Sequence, residues 1–103
     1  MGSNRRYAER VDERMSQRVV EAVARDAQLA TLSSEELRLD TLPLTIDPSG
    51  RRKVRAWVRF GQTPAQVDAV AVRWTPSAVG ISFDVGGREH RCWVWVGAVD
   101  EAE

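Results

Sequence analysis

The stretch "VGISFDVGGREHRCWVWV" (79–96) decides the fold. Gly86-Gly87 separates two runs that alternate apolar and polar side chains. Glycine accepts the positive φ angles that a two-residue hairpin loop demands, so the pair predicts a tight antiparallel hairpin. With these glycines as the loop, Val85 faces Arg88, Phe83 faces His90, Ile81 faces Cys92 and Val79 faces Val94. One face then carries Val79, Ile81, Phe83, Val85, Cys92, Val94 and Val96. The other carries Gly80, Ser82, Asp84, Glu89, Arg91, Trp93 and Trp95.

Working outward, the same alternation recurs in "RRKVRAWVRF" (51–60), where Val54, Ala56, Val58 and Phe60 oppose Lys53, Arg55, Trp57 and Arg59. The expected strands are 53–60, 67–74, 79–85 and 88–96. A "GQTPAQ" loop (61–66) joins the first two, and a tight "TPS" turn (75–77) precedes the third. Continuous alternation back from Trp74 puts Val70 and Val72 on the oily face, leaving Ala69, Ala71 and Arg73 on the second. Upstream, Leu42, Leu44 and Ile46 alternate with Pro43 and Thr45, as in an edge strand. "DPSG" (47–50) has Asp, Pro and Gly where a type I turn prefers them. Ser33 and Glu36 stand at capping-box spacing, which predicts a short helical turn.

Residues 5–30 read as one long helix. Tyr7, Val11, Met15, Val19, Ala22, Val23, Ala27 and Ala30 recur at helical spacing, no Gly or Pro interrupts them, and Ser3 or Asn4 can cap the start. The stripe is mostly Val and Ala, so the helix needs a surface to pack against. These elements predict an α+β domain: a long N-terminal helix on a twisted four- to five-stranded antiparallel meander sheet. The alternative curls the strands into a small SH3-like β-barrel with the helix outside. Either way residues 1–103 form one domain, with the helix at 5–30, the meander at 42–96 and an acidic tail at 97–103.

Composition narrows the function by exclusion. The chain has 103 residues, 43% hydrophobic and 29% charged, as in an ordinary globular domain. No apolar run approaches the roughly 20 residues that span a bilayer, and no secretory signal is expected. The single cysteine, Cys92, has no internal disulfide partner, so a reducing cytoplasm is the expected compartment. One lysine against 14 arginines suggests a high-GC bacterial genome. The net charge is zero but unevenly spread: residues 51–96 carry +5, from eight basic and three acidic side chains, while 33–50 and 97–103 each carry −3. That arrangement suits an anionic partner and intramolecular charge balancing equally well.

Catalytic motifs are absent. His90 and Cys92 point the same way on one strand, but they share the oily face with Ile81 and Phe83, which suits a buried thiol better than a nucleophile. Two soft donors are too few for a metal site. Asp84 and Glu89 should oppose each other at the hairpin tip, where Arg88 and Arg91 make them an exposed ion-pair cluster. No enzyme, metal or cofactor is expected. The remaining signal is the second face of the sheet, which gathers Arg55, Trp57, Arg59, Arg73, Arg91, Trp93 and Trp95 around Ala69, Ala71, Gly80 and Ser82. As a structural surface, these small residues would be a floor for the N-terminal helix, walled by the tryptophans. As a functional one, tryptophan and arginine suit a protein-interaction module that self-associates or docks onto a partner protein. The alternative is single-stranded nucleic-acid binding, with rings stacking on bases. The acidic tail should fold back over the arginines and compete with an anionic ligand.

Overall fold

The computed structural model describes residues 20–22, 24 and 27–102. Among these, six strands form one antiparallel sheet: β1 (Thr45–Ile46), β2 (Lys53–Phe60), β3 (Thr63–Trp74), β4 (Ala78–Val85), β5 (Arg88–Trp95) and β6 (Val99–Glu101). The order is β5-β4-β3-β2-β6, with β1 pairing β3 beyond the end of β2. A short helix α1 (Ser34–Leu37) precedes β1, and a single 3-10 turn (Val96–Ala98) joins β5 to β6. Between Ser33 and Glu36 both capping-box bonds form, as their spacing predicts.

The β4–β5 hairpin has the register set by its glycines: Val85↔Arg88, Phe83↔His90, Ile81↔Cys92 and Val79↔Val94. Gly86 and Gly87 take φ angles of 57° and 80°, open to glycine at little cost. The sheet curls around one apolar face. Val54, Ala56, Val58 and Phe60 of β2 meet Ile81 and Phe83 of β4 and Cys92 and Val94 of β5 inside the curl. The Phe60 and Phe83 rings pack edge to face at 6.4 Å, and His90 stacks on Phe83 at 5.5 Å.

Several expectations need correction. First, the fold is mostly antiparallel sheet, not a sheet under a long helix. Residues 5–19 of the expected helix lie outside the described residues. Val20–Ala22 and Ala24 are helical, but the helix does not reach residue 30. Leu29 bridges Phe60, Ala30 N–H donates to Arg59 O (2.8 Å), and Gly61 N–H donates to Gln28 O (2.7 Å). The outer edge of β2 offers unpaired backbone groups there, and satisfying them outweighs the helical preference of Ala27, Gln28, Leu29 and Ala30. Second, Val20 joins the inner core with Ala24 and Ala27 packed against it, so the helical residues cover the apolar face and not the tryptophan face.

Third, the barrel is not closed. β5 and β6 stand at opposite ends of the strand order and are not hydrogen-bonded to each other. Fourth, the faces of β3 are inverted over most of its length. The ladder with β4 shifts between Ala71 and Arg73, so Val72 is the extra residue of a β-bulge. Above it Trp74 and Arg73 keep the faces that alternation assigns. Below it the parity reverses: Ala65, Val67, Ala69 and Ala71 enter the core, while Val70 and Val72 are only half-buried.

The expected 61–66 loop is also shorter. Gly61-Gln62 forms a second two-residue turn, with Phe60 opposite Thr63 and Gly61 at φ 62°. Pro64 sits within β3 opposite Arg59, at a position whose missing N–H faces away from β2 and beyond the end of β4, so no ladder bond is lost.

Candidate docking site at the seam between β2 and β5

The curl brings the outer edges of β2 and β5 close together without pairing them. Backbone groups along β2 alternate in direction. Arg52 O accepts from Ala71 on the β3 side, whereas Lys53 O accepts from Ala102 and Arg59 O from Ala30 on the outer side. The N–H and C=O of Trp57 therefore also point outward. Trp57 lies between the last β6 partner, Ala56, and the first partner of residues 28–30, Arg59. Across the seam, Trp93 is held by residues 31–32: its N–H donates to Thr31 Oγ1 (2.9 Å) and its C=O accepts from Leu32 N–H (3.1 Å).

The result is a groove of about 450 Å³. Ala30, Leu32, Val58 and Val94 give it apolar walls, Trp57, Trp93 and Trp95 flank it, and Arg59 stands on the rim. Trp57 and Trp95 remain 51% and 46% exposed, large apolar surfaces that folding leaves in water.

All seven residues singled out in the sequence lie on the outer face, but they are not one site. Trp57, Trp93, Trp95 and Arg59 meet at the seam. Arg73 lies apart, its Cγ packed over Gly80 beside the Trp93 ring. Arg55 faces Asp68, with Nε 3.3 Å from Oδ1, and Arg91 is ion-paired with Glu89. The small-residue floor shrinks to Gly80 and Ser82, because the bulge turns Ala69 and Ala71 inward. It also turns Asp68 outward, and nothing in simple alternation signals that. Ala30 was hidden in the same way, since it reads as the end of a helix, and Thr31 and Leu32 follow it with no signal of their own.

The tail does fold back, as a strand on β2 and not as a flap over the arginine face. Val54↔Glu101, Arg55↔Asp100 and Ala56↔Val99 are partners, and Glu101 Oε1 meets Arg52 at 3.1 Å. Arg52 also lies over the Trp74 ring, 4.8 Å from its centroid. Asp84 and Glu89 are directly opposed at the hairpin tip. Cys92 is buried, and burial pushes its thiol up to about 11. His90 packs within the Phe60–Phe83 cluster. No group of three or more His, Cys, Asp or Glu able to hold a metal occurs among the described residues. No helix among them is long and apolar enough to cross a membrane. Comparison with protein-family models, curated proteins and solved structures finds no match.

Proposed function

We propose that this chain is a small non-catalytic interaction module that docks onto a partner protein, or onto a second copy of itself, through the seam groove. One observation carries this reading. Two tryptophans, each about half-exposed, flank an apolar groove where the β6 pairing of the β2 edge ends and that of residues 28–30 begins. Tryptophan and arginine dominate binding hot spots because they desolvate large, rigid surfaces. Large apolar surface left in water at a groove is a common mark of a docking site. The buried, unpaired Cys92 supports a reducing, cytoplasmic setting.

The alternative, single-stranded nucleic-acid binding, draws on the basic 51–96 stretch. Against it, Asp68 and Glu89 neutralise Arg55 and Arg91 on the same face. Light scattering across a concentration series tests the second-copy form. A photo-crosslinker at position 59 tests the partner form, with Trp57→Ala and Trp95→Ala as competing backgrounds. Adducts that disappear in those backgrounds support docking. Adducts and oligomeric state unaffected by both substitutions refute it. Salt-sensitive binding of a random oligonucleotide at low ionic strength would favour the nucleic-acid reading instead.

A further inference from the structure

β6 covers only the part of the β2 edge that adjoins the seam, and it covers it thinly. It is three residues long, Val99 alone is partly buried against the core, and Glu101 adds an ion pair between exposed groups. Such pairs add little in water. Beyond Val99 the chain enters the 3-10 turn, so regular pairing with β2 ends at Ala56 while Ala98 lines the groove.

Resting on the docking reading above, we propose that β6 is a displaceable stand-in for the partner: an extended acidic segment replaces it on β2 and continues across Trp57 into the seam. The chemistry of the partner follows from what β6 satisfies. Val99 turns inward opposite Ala56, Asp100 lies opposite Arg55, and Glu101 meets Arg52. A longer strand would place one more inward side chain opposite Val58, where Val58 and Val94 line the groove. Side chains alternate across a strand, so the fitting pattern is apolar, any, apolar, acidic, acidic, read toward the C-terminus. Tethering gives β6 an effective concentration on the order of millimolar. The partner overcomes this through the two additional residues and the apolar side chain they deliver. β6 thereby also serves as an autoinhibitory cover.

The test uses the full chain with Val54→Cys and Glu101→Cys, which leaves Arg52 and Arg55 in place. These positions are direct partners, so their separation falls within the range a disulfide bridges, while native Cys92 is buried. Oxidation locks β6 and reduction frees it. The probe is a synthetic peptide of residues 96–103 carrying Gly97→Leu and Ala98→Thr, followed by the amide shifts of Arg59 and Trp57. Binding to the reduced protein at least roughly tenfold tighter than to the oxidised one supports displacement. Equal binding in the two states overturns it, as does absence of binding in both. Equal binding that Trp57→Ala still abolishes would sink displacement and leave the docking reading intact. Docking itself fails on the crosslinking result, which needs no lock.

Discussion

Gly80→Ala tests the packing of the outer face with a sign that depends on a single neighbour. A Cβ on Gly80 would meet Arg73 Cγ at 2.8 Å, too close for real contact, and Arg73 O and Trp93 Cε2 at 3.4 Å, which neighbours tolerate with small shifts. Arg73 Cγ lies two bonds from the backbone, so relief requires rotation about χ1 and loss of the stem's contact with the sheet. Overpacking of this kind costs about 1–3 kcal/mol. Replacing a strand glycine by alanine, where φ permits it, returns about 0.4–1 kcal/mol by restricting the unfolded chain. The overpacking is the larger effect, so Gly80→Ala should destabilise by about 1 kcal/mol, lowering Tm by about 4–8 °C in a domain of this size. In an Arg73→Ala background the close contact is gone. The same substitution should then be neutral or stabilising, giving a coupling of about 1–3 kcal/mol in a double-mutant cycle. Denaturant unfolding followed by tryptophan fluorescence measures all four proteins. Equal destabilisation in both backgrounds would refute the reasoning and remove the Arg73 stem as the constraint.

Phe60→Ala should cost about 3–5 kcal/mol in denaturant unfolding, because Phe60 is 1% exposed and its ring packs edge to face against both Phe83 and His90. Trp57→Ala, by contrast, should shift stability by no more than about 1 kcal/mol while abolishing docking; a large stability loss would mean that the ring is structural. Cys92 should resist thiol reagents in the native state and react at the rate of unfolding. Its thiol is raised from 9.0 to about 11, so the unfolded chain ionises first: stability linked to it is complete below pH 9 and falls between 9 and 11, by on the order of 2 kcal/mol. Hydrogen bonds from Ser49 hold Asp47 below its usual carboxylate value, so its contribution is full above pH 3.8 and declines as the pH drops below that; Asp47→Asn should flatten the acid limb of the unfolding curve.

What the sequence alone determined is local. The Gly86-Gly87 loop fixed the β4–β5 register because only glycine enters those angles cheaply, and pairing then follows residue by residue. Ser33 and Glu36 fixed a capping box within a few bonds of one another. The inner face of β2 followed from simple alternation. Tertiary structure decided everything that depends on where a strand edge finds its partner. Residues 28–30 leave the helical pattern because the edge of β2 can use their backbone groups, and Leu32 beyond them bonds the edge of β5. A single extra residue at Val72 reverses the faces of β3, burying alanines that looked like an outer floor and turning Asp68 toward Arg55. No period in the sequence encodes that residue, since a bulge is settled by the match between two strands and not within either. The tryptophans were legible as an outer-face cluster, but the groove that gives them a use exists only because the curled sheet stops short of closing.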